Sequence, residues 1–493
     1  MIFIKLKGHD FRYETENIIK QFDLNDKITF VENNSPVNSR GIFLSSGIYR
    51  STGRYRFVSS LGNGTGTFII AVKSLKTGNL TEDTLRRTLK REVSRQVYNL
   101  FSRYTGKKLP WGFLTGIRPA KIVHEMLENS MHEHNIIQRL TGYFKLSGQK
   151  AQLVYDVASV ERKILNRTPD NTVSIYIGIP FCPTRCLYCS FASYPIKACS
   201  GFVENYLVSL KKEISTVYDE LIKGKGYKIQ SLYIGGGTPT ALNNTQLKGL
   251  LDFIMDNLDL TDLEEYTIEA GRPDSLDAEK LETIKNSKVS RISINPQTMN
   301  SDTLEFIGRR HTPLETLSAF EIARSIGFDN INMDIIAGLP GEDIEKFKRT
   351  LDIISKLGPE SLTVHTLAVK RGSRLHEEKG TMALPTSETA TQMVNLAGNY
   401  AGMMNMHPYY LYRQKYILGN LENIGYCKRG YEGLYNIQIM EEKQTNIAFG
   451  ADAVTKVVYS DENRIERAFN VKNVEEYIKR VDEMIDRKRR LLG

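Results

Sequence analysis

Short runs of β-branched residues alternate with helical stretches through the middle of the chain, and this alternation limits the folds available to it. One helical stretch covers residues 202–223, where apolar side chains recur on one face. Strands separated by helices pair in parallel, in an open doubly wound sheet or a partial barrel. In both architectures ligands collect at the carboxyl ends of the strands. The predicted strands are residues 174–179, 231–234, 266–269, 291–294, 331–336 and 361–366.

The chain of 493 residues is longer than one typical domain, and its pattern changes twice. Residues 1–165 combine strand-like runs with a basic helical stretch at 81–104, which predicts a separate α+β domain. A polar, turn-rich segment then precedes the α/β core of residues 173–380. In residues 381–493 the alternation fades, which predicts a C-terminal helical appendage that closes the substrate region.

Three of the five cysteines fall close together, at Cys182, Cys186 and Cys189. A disulfide framework would spread its cysteines along the chain, whereas this spacing suits three irons of a cubane cluster. A structural zinc site would need a fourth protein ligand. The nearest candidate for one is Cys199, and we interpret Cys199 and Cys427 as idle thiols. We therefore predict a cluster with one iron left open for a cofactor.

The formal net charge of +9 fits either a mildly basic enzyme or a protein that attracts a polyanion, such as RNA or a small polycarboxylate. No apolar stretch approaches the roughly 20 residues that a membrane span requires. Residues 1–7 have no signal-peptide core and are predicted to form a first strand instead. We expect a cytoplasmic protein.

The segment from Tyr176 to Cys189 contains the spacing CxxxCxxC and resembles the signature of the radical S-adenosylmethionine (SAM) superfamily. The resemblance implies a [4Fe–4S] cluster held by the three cysteines and one SAM molecule, or two. It also implies that reductive cleavage of SAM gives a 5′-deoxyadenosyl radical, with the protein orienting the cofactors and excluding water. The expected fold is the radical SAM partial (β/α)6 barrel.

The sequence GGGTPT at residues 235–240 is similar to the coproporphyrinogen dehydrogenase-like branch of that superfamily, which includes HemN, HemW and HemZ proteins. The segment 109–119, with its only Trp, is similar to HemZ-type proteins in particular. By resemblance, the glycine loop binds the SAM amino group, Arg309 pairs with the SAM carboxylate, and Tyr176 is catalytic. The residues that the resemblance places around SAM are Tyr176, Gly236, Gly237, Thr238, Glu269, Gln297, Arg309 and Asp334.

The branch implies an oxidoreductase of haem biosynthesis that works without oxygen. Its reaction is oxidative decarboxylation of two coproporphyrinogen III propionates to vinyls, giving protoporphyrinogen IX. We therefore expect a tetrapyrrole substrate and an electron donor of the flavodoxin or ferredoxin type. A substrate with four carboxylates needs cations near the barrel mouth. The candidates are Arg310, Lys370, Arg371, Arg413 and Lys415.

Two departures from the established dehydrogenases keep other functions open. This chain has Gly178 where they have a His, and Phe191 where they have a further Cys. The first alternative is a haem-binding chaperone or another tetrapyrrole-handling radical SAM protein. The second is an RNA-modifying radical SAM enzyme, suggested by the basic helical stretch at 81–104. We rank it last because GGGTPT belongs to the tetrapyrrole branch, so a nucleic acid partner is not expected.

Overall fold

The computed structural model describes residues 1–24, 26–31, 41–63, 66–76, 80–116, 118–378, 382–459, 462 and 464–493. These residues form two compact units, one made of residues 1–119 and 125–155 and the other of residues 120–124 and 156–493. The predicted boundary between residues 380 and 381 lies outside the described residues, as does Ile117 of the 109–119 segment. The division into three domains therefore stays a prediction.

The first unit contains a five-stranded sheet in the order β2-β1-β3-β4-β5. The first strand is parallel to both of its neighbours, and β3, β4 and β5 form an antiparallel meander. Thr81 caps the long helix α2 by accepting a hydrogen bond from the backbone of Thr84, and Gly106 ends it in a left-handed conformation. The elements are β1 (Ile2–Lys7), α1 (Arg12–Lys20), β2 (Ile28–Phe30), β3 (Ile42–Ser51), β4 (Arg54–Asn63), β5 (Gly66–Lys76), α2 (Glu82–Thr105), α3 (Ala120–Glu128), α4 (Glu133–Gly142) and α5 (Gly148–Leu165), with α3 and α5 crossing the boundaries between units.

The second unit is built on an 11-stranded sheet. In its first central strand the fully buried Ile175, Ile177 and Ile179 alternate with other residue types and therefore share one face. The strands are β6 (Thr172–Ile179), β7 (Phe181–Cys182), β8 (Tyr194–Pro195), β9 (Lys228–Gly236), β10 (Glu265–Glu269), β11 (Arg291–Ser293), β12 (Ile331–Ala337), β13 (Ser361–Thr366), β14 (His407–Tyr412), β15 (Asn423–Cys427), β16 (Asn446–Phe449), β17 (Val454–Tyr459) and β18 (Arg464–Phe469), of which β7 and β8 form a separate pair.

Helices cover the sheet of the second unit. Side-chain caps fix where several of them begin, including the capping boxes Asn243–Gln246 and Thr312–Glu315 at two helices that follow strands. The helices are α6 (Ser200–Val217), α7 (Asn244–Asn257), α8 (Ala278–Asn286), α9 (Ser301–Phe306), α10 (Pro313–Ser325), α11 (Ile344–Leu357), α12 (Arg374–Glu377), α13 (Ser387–Met403), α14 (Leu434–Glu441), α15 (Val474–Lys479) and α16 (Val481–Leu492). Among the described residues, none of the helices is both long and apolar enough to cross a membrane.

The central strands follow one another in chain order, β6-β9-β10-β11-β12-β13, and all of these pairs are parallel. The strand order does not reverse direction within the sheet, as it would in a doubly wound fold. The sheet is therefore that of a partial barrel. The predicted α/β fold is confirmed. At the two edges, β15 pairs antiparallel with β13, and β16 pairs parallel with β6.

The C-terminal part of the chain contributes strands as well as the helices expected there. Strands β14 to β18 extend both edges of the sheet. The Tyr-rich strand β14 has consecutive buried residues, Tyr409, Tyr410 and Leu411, so it lacks the alternation that marks a half-exposed strand. Strand β16 is only four residues long and fully buried. These features explain why the sequence pattern predicted helices alone.

A buried ion pair attaches the C-terminal helix α16 to α6. Lys488 Nζ donates to Glu213 Oε1 at 2.7 Å, and both side chains are fully buried. The carboxylate of Glu213 also accepts hydrogen bonds from Asn470 Nδ2, Tyr477 hydroxyl and the backbone of Gly450. A buried charge is tolerated only when it is paired and hydrogen-bonded in this way.

We expect Lys488→Met to destabilise the protein by roughly 3–5 kcal/mol, because it leaves the Glu213 carboxylate buried without a cation. Unfolding midpoints in guanidinium chloride measure the effect. The neighbouring Arg489→Met is the control, since Arg489 pairs with Glu220 on the surface and should leave the midpoint unchanged. Equal midpoints for the two variants would contradict the importance assigned to the buried pair.

Candidate functional site

The three clustered cysteines lie in the loop that follows β6. Cys186 is buried, Cys182 and Cys189 are half-buried, and all five cysteines of the chain are free thiols. Burial raises the pKa of the Cys182 thiol to about 12. A thiolate at this position therefore needs a cation beside it, which a metal centre provides. The donor set fits an iron–sulfur cluster and not a disulfide.

Backbone contacts from other parts of the second unit hold the cysteine loop, residues 180–189, in place. Leu187 N donates to Ile307 O at 2.9 Å, and Leu375 N donates to Leu187 O at 3.0 Å. The Thr184 hydroxyl donates to Gly308 O at 2.8 Å. Segments that follow β11 and β13 thus both bind the loop that follows β6.

The glycine loop at the end of β9 packs directly on the cysteine loop. Gly237 N donates to Ile179 O at 2.8 Å, and Thr238 N donates to Phe181 O at 2.7 Å. A Cβ atom at Gly237 would lie 2.6 Å from Phe181 O and 3.1 Å from Cys182 Sγ. Only glycine allows the two backbones to approach this closely.

These loops border a cavity of about 370 Å³ at the carboxyl ends of the central strands. The structure brings most of the predicted site residues to this cavity. Those that line it are Cys182, Cys186, Cys189, Gly236, Gly237, Thr238, Glu269, Gln297, Arg309 and Asp334.

Tyr176 is the exception, because it is not among the described residues that line the cavity. Its ring stacks on Tyr233 and Tyr435, with centroid distances of 6.2 and 6.3 Å. Tyr233, in turn, does line the cavity. Tyr176 therefore lies one layer behind the wall, and its catalytic role stays a prediction.

Two carboxylates that line the cavity, Glu269 at the end of β10 and Asp334 within β12, differ in their titration. Burial raises the pKa of Glu269 to about 7, although its Oε1 accepts a 2.6 Å hydrogen bond from the Tyr233 hydroxyl. Burial also acts on Asp334, but His365, Asn332 and Thr363 outweigh it and lower the pKa of Asp334. Near neutral pH the wall thus offers a charged Asp334 and a readily protonated Glu269.

Gln297 and Arg309 are held in restricted arrangements beside the cavity. Gln297 has a φ of +67°, and its N donates to Asp334 O at 2.9 Å. A left-handed conformation is uncommon for a non-glycine residue and often marks a functional position. Arg309 Nη1 donates to Asn295 O at 2.6 Å, while its buried Nε has no hydrogen-bond partner among the described residues. The Arg309 guanidinium therefore retains a donor for a ligand.

Several residues that line the cavity were not predicted from the sequence. Arg272 follows β10 and donates to Thr184 Oγ1 at 3.1 Å, while forming an ion pair with Asp274 at 2.8 Å. His365 lies near the end of β13, with Nε2 at 3.6 Å from Asp334 Oδ2. Both lie near the carboxyl end of a strand, where this architecture collects ligands, so attention to every strand end would have found them. Further missed residues that line the cavity are Tyr188, Ser293, Asn332, Tyr410, Tyr412, Asn436 and Met440.

Of the five basic residues predicted near the barrel mouth, Lys370 lines the cavity. Its Nζ lies 5.6 Å from the ring centroid of the exposed Phe191. Arg413 is buried and donates from Nη2 to Asn420 O at 2.8 Å. The other three, Arg310, Arg371 and Lys415, are exposed and are not among the described residues that line the cavity.

Comparison with known proteins agrees with this geometry. The radical SAM superfamily model matches residues 176–354. The oxygen-independent coproporphyrinogen-III oxidase-like protein HemZ of Bacillus subtilis is 39% identical over 416 residues, which cover 83% of this chain and 82% of HemZ. The haem chaperone HemW of the same bacterium is 34% identical over 283 residues, which cover 57% of this chain and 70% of HemW.

Among solved structures, coproporphyrinogen III oxidase HemN from Escherichia coli, a radical SAM enzyme, shares the fold. It matches with a TM-score of 0.51 and 22% identity, over 66% of this chain and 73% of HemN. The chain belongs to the radical SAM superfamily, in the branch that contains HemN, HemW and HemZ. Membership implies a [4Fe–4S] cluster and SAM as cofactors.

We expect Gly237→Ala to lower the iron content of the reconstituted protein substantially, because the added Cβ would displace the backbone that packs on the cysteine loop. The control is Gly249→Ala in α7, where the Cβ would meet only Lys211 Nζ at 3.8 Å. Alanine is the better helix former, so this control should keep its iron. Iron and sulfide analysis after anaerobic reconstitution measures the effect, and full iron content in Gly237→Ala would contradict it.

Proposed function

We propose that this protein is a SAM-dependent oxidoreductase that decarboxylates propionate side chains of coproporphyrinogen III to vinyl groups without oxygen. The observation that carries the proposal is the meeting of the three cysteines, the glycine loop and the polar strand ends at one cavity. Its likeness to HemZ extends over 83% of the chain, and HemZ is named for this type of reaction. A tetrapyrrole is the ligand class common to the names of HemZ, HemW and HemN.

In this proposal Cys182, Cys186 and Cys189 hold the cluster. When bound and reduced, the cluster and SAM together supply a radical able to abstract a hydrogen atom from an unactivated carbon. The chain's own residues bind and orient SAM and the substrate. The Arg309 guanidinium, with a donor available at Nε, would grip the SAM carboxylate, and a guanidinium does this through parallel hydrogen bonds.

The polar wall would bind the remaining polar groups of SAM. Gln297 and Asp334 offer acceptors for a ribose diol, and Glu269 next to Gly236 accepts from an amino group when it is ionised. Lys370, which lines the cavity, would attract a substrate carboxylate. Tyr233 lines the cavity and is backed by the stacked rings of Tyr176 and Tyr435, and this aromatic layer would help to exclude water from the radical.

A second candidate function is haem binding of the HemW type. The observation that favours it is the crowding around Gly178, which stands where the established dehydrogenases have a His. A Cβ at Gly178 would lie 3.3 Å from Phe449 O and 3.4 Å from the Tyr176 ring. A side chain at position 178 would therefore require its neighbours to shift by a few tenths of an ångström, and a function without the corresponding step is compatible with the structure.

Anaerobic turnover with coproporphyrinogen III, SAM and a reductant separates the two functions. We expect mass spectrometry to detect 5′-deoxyadenosine together with products lacking one and two CO2. Deoxyadenosine without decarboxylated product, combined with stoichiometric haem binding in a titration, would reject the oxidase and support the chaperone.

We expect Cys186→Ala to abolish deoxyadenosine formation, because it removes a cluster ligand. Cys199→Ala, which alters a thiol outside the cavity lining, should retain it.

We expect Arg309→Lys to weaken SAM binding by at least about tenfold, because an ammonium cannot reproduce the paired hydrogen bonds of a guanidinium. Equilibrium binding of SAM to the reconstituted protein measures the change, and the iron content should stay at the wild-type level. The matched control is Arg310→Lys on the adjacent exposed arginine, which should bind SAM normally. Unchanged affinity in Arg309→Lys would show that Arg309 does not hold the SAM carboxylate.

A further inference from the structure

Three ionisable side chains from distant parts of the chain meet in the interior of the second unit. His124 lies on α3, Glu161 on α5, and Glu441 is the last residue of α14. His124 Nε2 lies 2.9 Å from Glu161 Oε2 and 3.7 Å from Glu441 Oε2. The relative exposures are 7% for His124, 0% for Glu161 and 6% for Glu441. None of the three is among the described residues that line the cavity near the cysteines.

This arrangement leaves a carboxylate oxygen without a donor. Glu161 Oε1 is buried and accepts no hydrogen bond from any residue that the structure describes, although a buried acceptor normally has a partner. Burial, together with the positive charges of Lys443 and Arg162, lowers the pKa of His124 to about 4, so the imidazole is neutral and has a lone pair. Burial and Glu441 both raise the pKa of Glu161. Two carboxyl groups and an imidazole therefore share a buried site that would be stabilised by a cation among them.

We propose that His124, Glu161 and Glu441 bind one divalent transition-metal ion, of the zinc or manganese class. For metal–ligand bonds near 2.1 Å, neighbouring ligand atoms lie about 3.0 Å apart in octahedral and about 3.4 Å apart in tetrahedral geometry. The separations of 2.9 and 3.7 Å bracket these values. Glu161 Oε1 supplies a fourth donor atom if this carboxylate is bidentate. One imidazole with carboxylate oxygens, and no sulfur, is a donor set for zinc, manganese(II) or iron(II).

The ion would fix the end of the helix that forms part of the cavity wall. Helix α14 carries Asn436 and Met440, which both line the cavity. Its first turn is already anchored, since Leu434 N donates to Glu265 Oε2 at 2.5 Å. Binding at Glu441 would anchor its last turn. The proposed role is structural support of this wall, and it does not depend on which reaction the cavity performs.

The test uses the full-length protein with its iron–sulfur cluster reconstituted. Elemental analysis for zinc, manganese and iron should show about one zinc or manganese per chain, or iron in excess of the cluster. After treatment with a chelator that spares the cluster, the protein should bind one equivalent of added Zn²⁺ and unfold at a higher temperature with it. X-ray absorption at the zinc edge should show nitrogen and oxygen ligands only. Sulfur at about 2.3 Å would place the zinc on cysteine and overturn the assignment.

Variants locate the ion. We expect His124→Gln and Glu161→Gln each to weaken Zn²⁺ binding by at least about tenfold, the lower end of what even an outer-sphere change costs. His407→Gln is the matched control, because His407 lies 3.0 Å from Glu432 and near Cys427 in another possible ligand group. It should bind Zn²⁺ as the wild type does. Loss of binding in His407→Gln alone would move the site there.

A wild-type protein that contains neither extra metal nor affinity for added Zn²⁺ would overturn the proposal. This outcome is read on wild-type protein and does not depend on whether a variant folds. Turnover of SAM plays no part in it. Failure of the metal site and failure of the proposed oxidase are therefore recorded by separate measurements.

Discussion

Continuation of the β6–β9 pairing beyond the ends of the two strands determines the geometry of the whole site. The parallel register runs from Thr172 opposite Lys228 to Ile179 opposite Gly236. The same backbone contact then continues as Gly237 binds Ile179 and Thr238 binds Phe181. These hydrogen bonds pack the glycine loop against the cysteine loop, and residues of both loops line the cavity. The remaining strand ends can only add side chains around this contact, because parallel strands present their carboxyl ends at one edge.

Strand ends are also the reason why much of the site was predictable. The predicted strand 361–366 coincides with β13, and 174–179 lies within β6. In a parallel sheet the carboxyl ends of all strands lie at the same edge. Polar residues at successive strand ends in the sequence are therefore predicted to cluster in space. The family resemblance named Glu269, the last residue of β10, and Asp334, within β12, and both line the cavity. Gln297 was found by its motif, but its left-handed backbone was not visible in the sequence.

Features that depend on long-range packing were not predictable in the same way. Tyr176 belongs to the signature motif, yet its ring is covered by Tyr435, which comes from a helix far along the chain. Strands β14 and β16 close the edges of the sheet without an alternating pattern. His124, Glu161 and Glu441 come from three different helices. Taken alone, each of these polar residues could equally lie on the protein surface. Periodicity predicts which face of an element is buried, but it does not predict which buried faces meet.

The departure at Gly178 is part of a packed arrangement and not an isolated substitution. The Tyr206 hydroxyl donates to Gly178 O at 2.6 Å and accepts from Ala451 N at 3.1 Å. A Cβ at Gly450 would lie 2.5 Å from that hydroxyl and 2.6 Å from Gly178 O. The backbone of β6 at Gly178 is thus in contact with Tyr206 of α6 and with the turn that follows β16. Glycine places no imidazole at position 178, so any role that the His has in the established dehydrogenases must be absent here or be filled by another cavity residue. His365, which lies beside Asp334 at the cavity, is the described imidazole available for it.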